Sequence, residues 1–187
     1  MDMNRIVKSS VLALTLSWAG SASALLIGGV EVGGVDSLLG QTDDLNANPA
    51  GTCGSGGSPT AELCWINNVL KTLGEDSTTY GTKVENQSYS LVDGDSSKIG
   101  FELSSPTQYF LIKNSTWYGL FENSESFDWA VIDTTVIASG FNLPTDGYTI
   151  SHVAPIGGTV QVPEPGTMAL LGLGLVGLGL RRKLLKS

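Results

Sequence analysis

The stretch QYFLIKNSTWYGLFE, residues 108–122, contains two runs of β-forming residues separated by a polar turn. In the first run Phe110 and Ile112 point to one side of an extended chain, while Tyr109 and Leu111 point to the other. All four side chains are apolar or aromatic. The strand is therefore expected to be covered on both of its faces.

Further runs of β-forming residues follow one another at intervals of about ten residues, bounded by Gly, Pro, Asn and Ser. The predicted strands lie around Tyr89–Val92, Lys98–Leu103, Gln108–Lys113, Trp117–Glu122, Phe127–Ile137 and Tyr148–Val153. This spacing predicts a mainly β fold, an antiparallel two-sheet β-sandwich that is jelly-roll-like.

One segment, SPTAELCWINNVLKTLG at 58–74, is typical of a helix near 59–73. Ser58 is a suitable N-cap, Pro59 suits the first turn, Glu62 complements the positive end of the helix dipole, and Gly74 suits the end. Spacings of three and four predict one apolar stripe that packs on the core, formed by Leu63, Ile66, Val69, Leu70 and Leu73.

The chain has two cysteines, Cys53 and Cys64, and no CxxC spacing, which argues against metal, redox and haem sites. In an exported protein an oxidised pair is the expected state, stabilising the fold by roughly 2 to 3 kcal/mol. Two unpaired thiols are the alternative.

The charge of the chain is concentrated by region. Residues Leu25 to Pro165 hold four lysines and 17 acidic residues, a net charge of −13, whereas the other six cations lie near the two ends. Such a body repels phosphate backbones, so nucleic acid is not an expected partner.

The N-terminal segment 1–24 is predicted to be a signal peptide. Two cations, Arg5 and Lys8, precede a short apolar run that ends in the small residues Ala22 and Ala24. The run is less than half the ~20 residues that a spanning helix requires, which makes a retained anchor the weaker alternative. Export by the Sec translocon and cleavage by signal peptidase after Ala24 are expected.

The C-terminal segment 162–187 has three parts: Val162-Pro163-Glu164-Pro165 at the head of a motif at 162–167, an uncharged apolar stretch at 168–180, and a basic end at 181–187. As a helix, the apolar part would reach ~20 Å, against ~30 Å of hydrocarbon. The cluster Arg181, Arg182 and Lys183 is expected to stop transfer and stay cytoplasmic. Residues 168–180 would then cross the inner membrane transiently, with the body in the periplasm.

This tail resembles the PEP-CTERM sorting signal of Gram-negative bacteria. The resemblance implies recognition by a membrane-embedded exosortase that cuts near the Pro-Glu-Pro motif, and delivery to the cell surface or extracellular matrix. An ordinary membrane anchor that is never processed is the alternative.

Parts of the body, 25–161, are similar to a common group of PEP-CTERM proteins. The strings are ELCWINNVL, YFLIKNSTWYGLFENSESFDWAVID and ISHVAPIGG. The ectodomains of this group have no assigned activity, so the resemblance supports the architecture and implies no ligand.

Catalytic residues are not predicted. His152 is the only histidine, and on its strand it alternates with Tyr148 and Ile150, as a structural residue does. The acidic residues Glu122, Glu125, Asp128 and Asp133 could in principle form a glycosidase pair, but carboxylates are abundant here. The Asp93–Ser97 segment lacks the Gly and Glu of a calcium loop and is interpreted as a turn. Neither a metal nor a cofactor is expected.

Carbohydrate binding is the more serious alternative function. The aromatic residues Trp117, Tyr118, Phe121 and Trp129 cluster in one segment, and exposed rings beside Asn and Asp can stack on sugar faces. Core packing of these rings is the simpler interpretation, with Trp117 and Tyr118 the expected exceptions. The leading hypothesis is a non-enzymatic surface or matrix protein; a binding module for exopolysaccharide is second, and an extracellular hydrolase third.

Overall fold

The structure is a computed structural model that describes residues 25–47, 52–54, 57–123, 128–143 and 149–157. The predicted signal peptide and sorting signal, with the helices predicted in them, lie outside the described residues. The described elements are β1 (Leu26–Ile27), β2 (Val30–Glu31), β3 (Ser37–Thr42), α1 (Pro59–Leu73), β4 (Val84–Ser88), β5 (Ser90–Val92), β6 (Asp95–Glu102), β7 (Tyr109–Asn114), β8 (Trp117–Glu122), β9 (Trp129–Asp133), a 3₁₀ turn (Ser139–Phe141) and β10 (Thr149–Ile156).

The strands of the described ranges form three antiparallel sheets. Five strands pair in the order β3-β8-β7-β10-β4, three pair in the order β5-β6-β9, and β1 pairs with β2 in a small hairpin. The chain passes from the five-stranded to the three-stranded sheet at Tyr89, which is buried between β4 and β5. The predicted mainly β fold with antiparallel sheets and one helix is confirmed; the jelly-roll-like topology stays a prediction.

Buried side chains from the two larger sheets form one core cluster. The strand β7 contributes Phe110 and Ile112, and β6 contributes Ile99 and Phe101. The Phe110 ring is stacked on Phe121 with centroids 5.2 Å apart, and it meets Phe101 edge-on at 6.0 Å. Such aromatic pairs add about 0.5 to 1.5 kcal/mol each beyond the area that they bury.

The helix α1 covers the opposite face of the five-stranded sheet. Tyr109 and Leu111 on β7 belong to this second cluster together with Trp65, Ile66 and Leu70 of the helix. The strand β7 is therefore covered on both faces, as its sequence predicts.

The ends of α1 are also as predicted. The Ser58 side chain accepts a hydrogen bond from the Ala61 N–H, Pro59 occupies the first turn, and Gly74 ends the helix in the left-handed conformation. These groups satisfy backbone donors and acceptors that a helix end leaves unpaired.

The predicted apolar stripe of α1 is wrong at Leu73, whose side chain is 52% exposed. At 100° per residue Leu73 lies on the same side of the helix as the buried Leu70. Its exposure is therefore due to its position in the last turn and not to the side that it faces. In the first turns the burial extends further around the helix than a stripe, because Ala61 and Trp65 pack with Leu45 and its neighbours.

The hairpin β1–β2 packs on the outer face of the three-stranded sheet, where Val32 is buried with Val92 and Val131. The edge strand β9 is closed by Asp36, whose N–H donates to the Val131 carbonyl and whose carboxylate accepts from the Val131 N–H at 2.7 Å. Covering an edge in this way prevents pairing with other chains. Within the described ranges, no helix is both long and apolar enough to cross a bilayer.

Candidate functional site

The predicted glycan-binding residues Trp117 and Tyr118 lie on opposite faces of β8. Trp117 packs against the core between the sheets, whereas Tyr118 belongs to the cluster under α1. Successive side chains of a strand point to opposite faces. The structure therefore does not bring these two rings together as one stacking surface.

The ring of Trp117 is half-buried and lies against Phe141, with centroids 6.0 Å apart. It also lies directly over Gly140, where a Cβ atom would be 1.9 Å from the indole Nε1. A residue with a side chain would displace the ring, so the close approach requires glycine. Trp117 is therefore a partly buried residue at the edge of the core cluster.

Tyr118 is 7% exposed, and its accessible part lines an open cleft of about 300 Å³. The other lining residues come from three parts of the chain: Asp43, Asp44, Leu45, Asn46, Gly54, Lys113, Ser115 and Thr116. They lie where β3 ends, where β7 turns into β8, and beside the disulfide. Most of the lining residues have polar side chains, and an edge of the Tyr118 ring lies in the wall.

The first wall of the cleft is a hydrogen-bonded turn after β3. The Thr42 hydroxyl accepts from the Asp44 N–H and donates to the Asp44 carbonyl, and an Asp44 carboxylate oxygen accepts from the Asn46 N–H at 2.9 Å. Local bonds of this type fix a turn without help from a sheet. Opposite it, Lys113 and Tyr118 are direct partners across the β7–β8 hairpin.

The second wall depends on the predicted disulfide, which is present. Cys53 and Cys64 are joined with their Cα atoms 5.4 Å apart, so residue 54 is tied to the second turn of α1. The Asn68 side-chain amide donates to the Cys53 sulfur at 3.2 Å. The disulfide therefore holds one side of the cleft against the helix.

Behind Tyr118 lies a buried polar cluster that sequence reasoning did not find. Glu62, in the first turn of α1, is completely buried, and the Tyr80 hydroxyl donates a short hydrogen bond to its Oε2 atom. Burial and the adjacent carboxylate raise the pKa of Tyr80 well above its usual range, so the phenol remains a donor. The Tyr118 hydroxyl lies over Gly57, at the same end of the helix.

His152 faces this carboxylate from β10. Its Nε2 atom is 3.3 Å from the Glu62 Oε1 atom, an ion-pair distance, but neither atom makes a hydrogen bond. Because both side chains are at most 6% exposed, a substrate does not reach them, and the cluster joins the helix start to the sheet.

Two of the acidic residues considered for catalysis lie on separate strands. Glu122 and Asp133 belong to different sheets, on β8 and β9. The Asp133 carboxylate accepts from the Thr135 N–H and hydroxyl, and these bonds lower its pKa. Glu125 lies outside the described residues, and Asp128 lies just before β9.

The segment 93–97 is a turn at residues 93–94 followed by the start of β6, and its two carboxylates have different partners. Asp93 accepts from the N–H groups of Gly28 and Gly29, which attaches the β1–β2 hairpin. Asp95 pairs with Lys98 and accepts from Ser97, and these bonds lower the pKa of Asp95 to about 2. The described residues contain no group of three or more His, Cys, Asp or Glu side chains placed to hold a metal ion.

Comparisons with known proteins found a match at the C-terminal end. The model of the PEP-CTERM protein-sorting motif matches residues 161–183. This range contains the predicted sorting residues 162–165 and the basic cluster 181–183, and it begins one residue before the predicted tail.

Neither the curated proteins nor the solved structures gave a significant match to the chain. The evidence for its identity is therefore the tail, and it indicates how the chain is sorted. Residues 161–183 are a PEP-CTERM protein-sorting motif, which implies that this chain is an exported protein sorted by an exosortase to the cell surface.

Proposed function

We propose that this chain is a non-enzymatic protein of the cell surface or extracellular matrix. The Sec translocon exports it, signal peptidase cuts it after Ala24, and the apolar segment 168–180 holds it in the inner membrane until an exosortase cuts near Val162–Pro165. The observation that carries the proposal is the match of residues 161–183 to the sorting motif. The disulfide supports it, because such bonds persist in compartments outside the cytosol.

The experiment is fractionation of the host with and without its exosortase. In the complete host the protein is expected at the surface or in the medium without its tail. In cells lacking the exosortase the intact tail should keep it in the inner membrane. A variant truncated after Gln161 is the control, because it lacks the whole tail and should be free of the membrane in both strains. The proposal is wrong if the full chain behaves alike in the two strains.

The absence of enzymatic activity is part of the proposal. It is supported by the burial of His152 and Glu62 and by the separate locations of Glu122 and Asp133. Incubation with polysaccharide and peptide libraries should give no turnover. Turnover that disappears on substitution of a carboxylate would establish the hydrolase instead.

A second candidate function is carbohydrate binding, favoured by the cleft beside Tyr118, most of whose lining residues have polar side chains. Sugars present hydroxyl groups that donate and accept, and sites for them combine such polar groups with an aromatic surface. Pull-down with exopolysaccharide from the host tests it. Binding that is retained in Trp117→Ala but lost on changes around Tyr118 is expected, since the two rings face opposite sides of the sheet.

A further inference from the structure

We infer that the cleft between the turn 43–46 and the turn 115–116 binds a sugar unit without acidic groups. The inference rests on the carbohydrate-binding candidate and assigns its site and its ligand class.

The chemistry of the cleft matches a sugar. Its walls offer carboxylate and amide oxygens as acceptors, an ammonium group as donor, and hydroxyls that do both, from Asp43, Asn46, Lys113, Ser115 and Thr116. The accessible edge of the Tyr118 ring, which is 7% exposed, adds a small apolar contact for the C–H groups of a pyranose. A volume of about 300 Å³ lies at the lower end of the range for small-molecule sites, which suits one or two sugar units.

Several of these polar groups are open to a ligand. Lys113 forms no salt bridge with any carboxylate of the described residues, although it lies beside Tyr118 in the β7–β8 hairpin. Asp43 and Thr116 are exposed to solvent. By contrast Asp44 is engaged in its own turn, so it shapes the cleft while Asp43 and Lys113 face the ligand.

Charge selects the ligand class. The cleft holds two carboxylates and one ammonium group, within a body whose net charge from Leu25 to Pro165 is −13. Uronic acids and sulfated sugars are repelled by this field, whereas neutral and amino sugars are not.

The cleft lies at the end of the sheet opposite to the exit of the chain. Strand β10 ends at Ile156, which pairs with Tyr109 at the start of β7. The cleft residues lie around Asn114, at the other end of β7, about 20 Å away for a strand of this length. Gly157, the last described residue, therefore lies at the end of the sheet away from the cleft.

The turn hydrogen bonds and the disulfide keep the cleft formed before binding, which lowers the entropic cost of association.

Calorimetric titration of the exported protein, with its disulfide intact, tests the inference. The probes are cello-oligosaccharide, chito-oligosaccharide, glucosamine oligomer and oligogalacturonate. Thr116→Trp fills the cleft, and Thr79→Trp is its control at the exit end, where Thr79 is also exposed. Asp43→Asn removes one exposed carboxylate from the cleft, and Asp76→Asn removes one from the exposed loop after α1.

At least one non-acidic probe should bind, and at least about tenfold more tightly than oligogalacturonate. Thr116→Trp should weaken that binding about tenfold or more. Asp43→Asn should weaken it about threefold to tenfold, because it costs the ligand one or two hydrogen bonds. The two controls should stay within about twofold of the wild type. Asp43 is exposed, so Asp43→Asn remains informative if the tryptophan variant does not fold.

Three results would overturn the inference, each in a different way. Binding that survives both cleft variants means that the protein binds sugars elsewhere, and the carbohydrate-binding candidate stands. Tighter binding of oligogalacturonate contradicts the ligand class. No binding of any probe overturns both the site and the carbohydrate-binding candidate, and leaves the sorting of the chain unaffected.

Discussion

Removal of the Cys53–Cys64 bond is expected to lower the free energy of unfolding by about 3 kcal/mol. The two cysteines are 11 positions apart, and the chain-entropy relation for a loop of that length gives about 2.8 kcal/mol at 25 °C. Loss of the bond that Asn68 donates to the Cys53 sulfur acts in the same direction. The double variant Cys53→Ala/Cys64→Ala removes both contributions.

Urea unfolding followed by tryptophan fluorescence measures the effect. With an m value of about 2 kcal/mol/M, a loss of about 3 kcal/mol lowers the midpoint by about 1.5 M. The reduced wild type is the control, because it should unfold near the midpoint of the double variant. A double variant within about 0.2 M of the oxidised wild type would show that the bond does not stabilise the fold, and the account of the second wall of the cleft would be wrong.

Three further changes have defined outcomes. Leu70→Ala should destabilise the protein by about 2 to 5 kcal/mol in the same urea assay, because Leu70 is fully buried. Leu73→Ala, at an exposed site on the same helix, should cost less than about 0.5 kcal/mol. Equal losses would contradict the packing of the helix. Gly140→Ala should also destabilise, and should red-shift the tryptophan emission, because its methyl group would lie 1.9 Å from the neighbouring indole nitrogen; an unchanged spectrum and midpoint would contradict that contact. The pKa of Asp95 is lowered to about 2, so its contribution to stability is present above the ordinary value of 3.8 and is lost as the pH falls toward 2. NMR titration should show this midpoint, and Lys98→Gln should raise it, because the side-chain bond from Lys98 is the largest cause of the shift; a midpoint that does not move would show that this pair does not form.

The parts of the fold that the sequence predicts well are those with strong local signals. The helix Pro59–Leu73 has a capping serine, a proline in its first turn and a terminal glycine, and its predicted bounds match the structure. The strand Trp117–Glu122 also matches, because a polar turn precedes its aromatic run. Here local propensity and tertiary packing favour the same conformation.

The strands that sequence analysis missed are mostly at edges. β3 (Ser37–Thr42) and β4 (Val84–Ser88) form the two edges of the five-stranded sheet, and their sequences SLLGQT and VENQS are largely polar. An edge strand buries less of its surface than a central one, so its hydrophobic pattern is weaker. Their pairing is decided by neighbours that are distant in sequence.

The candidate site was predictable only in part, for the same reason. Tyr118 was selected from its own neighbourhood, but the cleft also requires Asp43 and Gly54, which come from separate segments. The separation of Trp117 from Tyr118 follows directly from strand geometry once β8 is known. The burial of Glu62 had no sequence signal, since a glutamate in the first turn of a helix is ordinarily explained by the dipole.

Intact-mass spectrometry of the mature protein from its host tests the central claim most directly, because it reads both ends of the chain at once. The account predicts a polypeptide that begins at Leu25, ends near Val162–Pro165, apart from any group that sorting attaches there, and is 2 Da lighter than its reduced form because of the disulfide. A mass that includes residues 168–187, from cells that possess an exosortase, would contradict the account.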